Sequence, residues 1–192
     1  MPDRHLVIML KEPRPGRVKT RLGRDIGMVP AAWWFRHQTR ALIRRLDDPR
    51  WRLTLAVSPD RVGMQSRVWP AHLPRIVQGQ GDLGARMARV FHTLPPGPAL
   101  IIGGDIPGVM PQHIAEAFGL LGRNDAVFGP APDGGYWLVG LKRVFTPPPG
   151  LLRNVRWSSE HALADSIATL PGYRIARADT LRDVDTAADL SA

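Results

Sequence analysis

The chain has 192 residues, 44% hydrophobic and 22% charged, which suits one soluble globular domain with a real core. Its formal net charge is +9, and only three of its 26 basic residues are lysine (Lys11, Lys19 and Lys142). An arginine bias of this kind is what a GC-rich coding genome produces, and a basic surface also suits polyanions: nucleotides, nucleic acid or an acidic membrane face. With no cysteine, disulfides, thiolate metal sites and cysteine nucleophiles are excluded. No signal peptide and no apolar run near the roughly 18 residues of a membrane span is visible, so a cytoplasmic protein is expected.

In chain order, short β-rich apolar runs stand at 5–10 (HLVIML), 51–57 (WRLTLAV), 74–78 (PRIVQ), 99–104 (ALIIGG), 125–130 (DAVFGP) and 136–141 (YWLVGL). Helical spacing separates several of them. Residues 31–47 place Trp34, Phe35, Leu42 and Leu46 on roughly one face, and residues 84–94 group Met87, Val90, Phe91 and Leu94. Residues 111–121 open on Pro111 and align Ile114, Ala117, Phe118 and Leu121. After Trp157, SSEHALADSIATL predicts a helix capped by Ser158 or Ser159. Strands alternating with helices predict an α/β fold, a three-layer α/β/α sandwich with a mostly parallel sheet. APDGG between the runs at 125–130 and 136–141 predicts a hairpin-like excursion. TPPPG at 146–150 is linker-like but too short to divide the chain, so a single domain over 1–192 is expected.

Ligands of such sheets collect beyond the carboxyl ends of the strands. That rule selects Lys11–Leu22, Gly79–Gly84, Asp105–Gly108 and Asp133–Tyr136, four loops expected to converge on one edge. The first holds five cations within KEPRPGRVKTR; a wet charged face and a phosphate cradle are both open readings. It is no Walker loop, since G-x-x-x-x-G-K-[ST] is absent and the prolines remove N–H donors. GQGDLG at 79–84 is a literal G-x-G-x-x-G, but it follows the third apolar run rather than the first, and that run begins with proline. A glycine turn that approaches a base or diphosphate, or a loop plus helix cap with Asp82 as N-cap, accounts for it equally well. The six histidines are scattered without H-E-x-x-H, and no serine sits in G-x-S-x-G, so neither a zinc protease nor a serine hydrolase has support.

KEPRPGRVKTRL (11–22), QGDLGARM (80–87), GGDIPGV (103–109), PAPDGGYWLVGL (130–141) and LRDVDTAADL (181–190), in this order, closely resemble segments of a bacterial GT-A-like family. That family is usually labelled glycosyltransferase, with one branch assigned to arsenosugar biosynthesis, and it belongs to the nucleotide-diphospho-sugar transferase superfamily. The resemblance spans nearly the whole chain. It implies a GT-A fold, a nucleotide-activated donor and a divalent ion, Mg²⁺ or Mn²⁺, bridging the nucleotide diphosphate. Asp105 matches the acidic strand-end position of the superfamily, and Asp185 resembles the distal metal aspartate of related nucleotidyltransferases; a hard cation takes such carboxylate oxygens. Both have plainer readings, Asp105 as a turn cap and Asp185 or Thr186 as the cap of a last helix.

The expected phosphate contacts are Lys19 and Arg21, with Lys11, Gly16, Gly81, Asp82 and Gly84 on the same ligand edge. Asp133 is the candidate base for an acceptor, and Gly134, Gly135 and Tyr136 resemble the family's acceptor or sugar-side loop. A Gly-Gly turn joining two strands explains the same glycines. Trp157 and Ser158 resemble the family's W-S-[ST] segment, as a pocket wall or as a hydrophobic staple. The first functional expectation is a metal-dependent glycosyltransferase that uses a nucleotide-activated small-molecule donor, its acceptor left open. The second is nucleotidyl transfer, because KTRL after the first strand is shared with a guanylyltransferase branch of cofactor biosynthesis. A non-catalytic nucleic-acid module would account for the charge but not for glycines and aspartates gathered at strand ends.

Overall fold

A computed structural model describes residues 3–143 and 146–191. One seven-stranded sheet runs through it: β1 (His5–Lys11), β2 (Arg52–Ser58), β3 (Arg75–Val77), β4 (Ala99–Gly103), β5 (Ala126–Pro130), β6 (Tyr136–Leu141) and β7 (Ile175–Arg177), in spatial order β3-β2-β1-β4-β6-β5-β7. β1 pairs in parallel with β2 and β4, β2 with β3, and β5 with β7, whereas β6 runs antiparallel to both neighbours. The expected α/β class with a mostly parallel sheet is the architecture found.

The apolar runs are continuous because the central strands are covered on both faces. Side chains alternate across β1: Leu6, Ile8 and Leu10 join one core with Leu42, Ile43 and Leu46 of α2 (Met28–Leu46) and Ile114 and Phe118 of α5 (Pro111–Leu120). Val7 points the other way, into a core with Met87, Val90 and Phe91 of α4 (Leu83–Thr93) and with α6 (Ala162–Ala168) through Leu163 and Ile167. Two helical layers on one sheet give the three-layer sandwich. Two short helices, α1 (Thr20–Ile26) and α3 (Asp60–Gln65), and the edge strand β7 were not anticipated; each is at most seven residues long, too short to carry a period.

Two local expectations are corrected. α6 begins only at Ala162 and is not capped by Ser158 or Ser159. Ser158 sits in the left-handed region at φ 57°, and the Ser159 hydroxyl donates to the Arg156 carbonyl while accepting from the His161 N–H. The last helix is a 3-10 turn, Ala187–Ser191, and neither Asp185 nor Thr186 caps it. Asp189 reaches back instead, its Oδ2 accepting from the N–H groups of Asp185 and Thr186 and from the Thr186 hydroxyl. Gly16 lies in a turn, where Arg17 N–H donates to the Arg14 carbonyl across Pro15-Gly16, with Gly16 at φ +71° and open space beside it.

The chain leaves β1 towards β2 on one side and places β4 on the other. This order makes the ends of β1 and β4 the switch point of the sheet, where a crevice opens.

Candidate active site

The loop after β1 delivers Lys19 to this crevice in an unusual conformation. Lys19 lies in the left-handed region (φ 46°, ψ 49°) just before α1, a state rare in non-glycine residues and concentrated at functional sites. Its side chain is only 6% exposed; Nζ stands 2.5 Å from Oδ2 of Asp105 and 2.9 Å from Oδ1 of Asp185. Burial works against the ammonium, but the two carboxylates outweigh it and hold the Lys19 pKa above the usual lysine value. Arg21, the second residue of α1, pairs with the other oxygen of Asp185 at 3.0 Å.

Asp105 follows β4, whereas Asp183 and Asp185 come from the C-terminal segment. A backbone hydrogen bond from Val184 N–H to the Asp105 carbonyl joins the two segments. Val184 itself is buried with Leu22 and Ala31, which anchors the segment on α1 and α2. Carboxylate oxygens of Asp105, Asp183 and Asp185 lie within 4.8 Å of one another. Burial pushes the Asp183 pKa up to about 6, helped by Asp105, Asp185 and Asp133 and only partly opposed by Lys19. Lys19 therefore does not neutralise the trio, and an all-oxygen set with surplus negative charge fits a hard divalent cation. Asp183 was missed in the sequence. The D-x-D spacing of RDVDT was the available signal, two carboxylates at alternate positions flanking an apolar residue.

Two cavities meet at this cluster, both lined by Arg21, Asp105 and Asp185. One, of about 510 Å³, is basic: Lys11, Arg17, Lys19, Arg21 and Arg86 line it, with Gln78 and Ser58 at the ends of neighbouring strands. Gln78 is held there by its amide nitrogen, which donates to the carbonyls of Leu10 and Ala56. The other cavity, of about 440 Å³, is lined by Asp133, Gly135, Tyr136, Trp137, Trp157, Ser158, Glu160 and Asp183 over a floor of apolar residues from β4 and α4.

The glycine-rich segment after β3 lies differently from the expected phosphate contact. Asp82 is the N-cap of α4, its Oδ1 accepting from Ala85 N–H at 2.8 Å. Gly81 (φ +108°) shapes the turn, and its carbonyl accepts from the Arg86 side chain. Gly84 is buried, and a Cβ there would meet the Leu152 carbonyl oxygen and Trp157, so it serves helix packing and not a ligand. None of the three lines either cavity.

In the hairpin between β5 and β6, Asp133 Oδ1 accepts from the Gly135 N–H at 2.9 Å while the residue lines the second cavity. Gly134 adopts φ +86° where a Cβ would press on the Glu160 backbone, and its carbonyl accepts from Leu163 N–H, pinning the hairpin tip to the start of α6. The Tyr136 phenol accepts from the Ser166 hydroxyl at 3.1 Å, and burial drives its pKa far above the usual range, so it stays neutral. Its ring meets Phe128 and Trp157 edge-on. Trp137 donates its indole N–H to the Asp179 carbonyl.

The fold is shared with solved structures. A protein from Desulfovibrio desulfuricans G20 provisionally described as a nucleotide-diphospho-sugar transferase is 26% identical, with a TM-score of 0.85 over 99% of this chain and 85% of that one. A Mycobacterium tuberculosis H37Rv protein solved in complex with manganese is 15% identical (TM-score 0.59; 99% and 96% covered). The 4-diphosphocytidyl-2C-methyl-D-erythritol synthase of Anaerococcus prevotii is 10% identical (TM-score 0.57; 99% and 93% covered). No curated protein matches the chain. No helix among the described residues is long and apolar enough to cross a membrane. A family model matches residues 41–159, and the chain thus belongs to the bacterial family described as "Uncharacterized protein conserved in bacteria (DUF2064)".

Proposed function

We propose that the protein is a glycosyltransferase that binds a nucleoside-diphosphate sugar in the basic cavity and a divalent cation, Mg²⁺ or Mn²⁺, at Asp105, Asp183 and Asp185. The observation that carries the reading is the meeting of a cavity rich in cations with a carboxylate trio at the switch point of the sheet. The diphosphate would lie against Lys19 and Arg21, with Lys11 and Arg17 further along the same wall. When bound, the cation supplies charge stabilisation to the diphosphate.

The chain's own groups then have defined tasks. Lys19, kept charged by its two aspartates, donates N–H bonds to the leaving diphosphate as the bond from the anomeric carbon to the β-phosphate oxygen breaks. The attacking acceptor hydroxyl loses its proton to Asp133, at the wall of the second cavity. Trp137 and Trp157 line the second cavity beside it.

A second reading, nucleotidyl transfer, is favoured by the fold shared with the Anaerococcus prevotii synthase. There a substrate phosphate attacks the α-phosphate of a nucleoside triphosphate and pyrophosphate leaves. A thermal-shift panel of UDP, GDP, CDP, their sugars and the four NTPs, each with Mg²⁺, Mn²⁺ or EDTA, tests the two. A metal-dependent rise with one nucleoside diphosphate and its sugar, lost in Asp105→Ala, is the expected result. A rise confined to one NTP supports nucleotidyl transfer, and no rise with any of them overturns both.

A further inference from the structure

The two cavities at the switch point differ in charge as sharply as in position. The basic cavity has five cationic side chains and, apart from the shared Asp105 and Asp185, no acid. The second cavity has a single cation among its lining residues, Arg21, and that guanidinium is already paired with Asp185. Against it stand the trio of Asp105, Asp183 and Asp185 together with Asp133 and Glu160. A cation bound by the trio, with Lys19 and Arg21, would be matched by those carboxylates and by a nucleoside diphosphate. Asp133 and the exposed Glu160, which has His161 at 3.7 Å, then add negative charge to a wall with no further Lys or Arg, which works against a second phosphate.

The uncharged part of the wall is equally selective. Trp157 and Tyr136 offer partly exposed rings, Trp137 lies buried at the edge of the wall, and the floor is aliphatic. The flat apolar face of a sugar ring packs on such rings while its hydroxyls reach carboxylate acceptors at the rim.

We infer that the second cavity takes a phosphate-free, hydroxyl-bearing ring, neutral or cationic, and excludes phosphate esters. This rests on reading the basic cavity as the nucleotide site, and it deepens that reading by naming the class of the second substrate. It also bears on the reaction: nucleotidyl transfer to a phosphate monoester needs a second substrate that this cavity repels, whereas glycosyl transfer to a hydroxyl does not.

The test uses the full chain labelled with ¹⁵N, following the indole N–H signals of Trp137 and Trp157, each assigned by its Trp→Phe variant. Glucose, glucosamine and glucose 6-phosphate are titrated in turn, with and without UDP and Mg²⁺. Glucose and glucosamine are expected to move both signals, and glucose 6-phosphate to bind about tenfold more weakly or worse. In the Asp133→Asn, Glu160→Gln double variant that discrimination against the phosphate ester should shrink.

Glucose 6-phosphate moving the signals at least as readily as glucose would overturn the inference, as would discrimination that survives in the double variant. So would silence from both phosphate-free sugars while a nucleoside diphosphate with Mg²⁺ still raises the melting temperature. Sugar binding at the tryptophans without any nucleotide response from the panel above would instead sink the nucleotide reading and leave the selectivity of the cavity standing.

Discussion

The Lys19 ammonium lies 2.5 Å from the Asp105 carboxylate and bonds Asp185 as well, so the chain's own cation occupies one side of the carboxylate trio. The arrangement puts the proposed phosphate-binding charge and the proposed metal ligands within one hydrogen-bonded unit. Removing either half must be felt by the other.

Replacing Lys19 by Met is expected to act in opposite directions on two ligands. Without the ammonium the trio keeps its full negative charge, so Mn²⁺ affinity in the absence of nucleotide should rise severalfold. Nucleoside-diphosphate affinity should fall about tenfold or more with the loss of a charge-assisted donor. Mn²⁺ titration by electron paramagnetic resonance and nucleotide titration by calorimetry check the two, and a fall in both would show Lys19 to be structural.

Asp183→Asn should stabilise the metal-free protein above pH 6 and abolish its response to metal. The wild-type carboxyl has its pKa raised to about 6, so the folded state binds more protons than the unfolded between the ordinary aspartate value and 6. Its ionisation therefore costs stability as pH rises through that window. The asparagine removes this cost. Melting curves from pH 4.5 to 8, with EDTA and with Mn²⁺, should show a flatter profile for the variant and no metal-induced rise.

His5 gives a slope of opposite sign. Burial lowers its pKa, so the fold prefers the neutral ring, and the unfolded chain binds more protons just below the ordinary histidine value of about 6.5. Stability should be full above that value and decline as pH falls through it towards the lower folded pKa. His5→Gln should lose this part of the acid sensitivity, read as a smaller difference in melting temperature between pH 7.5 and 5.

Gly84→Ala and Gly134→Ala should both destabilise, for different reasons. At Gly84 the methyl meets a backbone carbonyl, that of Leu152, which cannot yield without moving a turn; a cost of about 1–3 kcal/mol is expected. At Gly134 the positive φ adds about 1–2 kcal/mol to a collision with the Glu160 backbone. Urea titrations measure both. Gly16→Ala meets no neighbour and should cost only the left-handed conformation itself, about 1–2 kcal/mol.

Much of the candidate site was legible where a local rule operates. The strand-end rule selected Lys19, Arg21, Asp105 and Asp133, and all four line the cavities at one edge. Local rules failed where one residue type serves several ends. Asp82 and Gly84 fit a phosphate motif equally with a cap and a packing contact, and the structure has the latter two. Asp183 was passed over although it stands two residues before Asp185 in RDVDT, because the alternate spacing of two carboxylates does not say which of them faces Asp105.

By itself the sequence determined the alternation of strands and helices, the parallel class and the loops at the ligand edge. These follow from hydrophobic period and turn chemistry, which act over a few residues. Only the tertiary structure decided that Val184 bonds to the Asp105 carbonyl and thereby closes the trio, and that a chain of net charge +9 divides its crevice into a basic and an acidic half. Net charge is a sum over the whole chain, while a ligand feels the few charges nearest to it, and only long-range packing selects which those are.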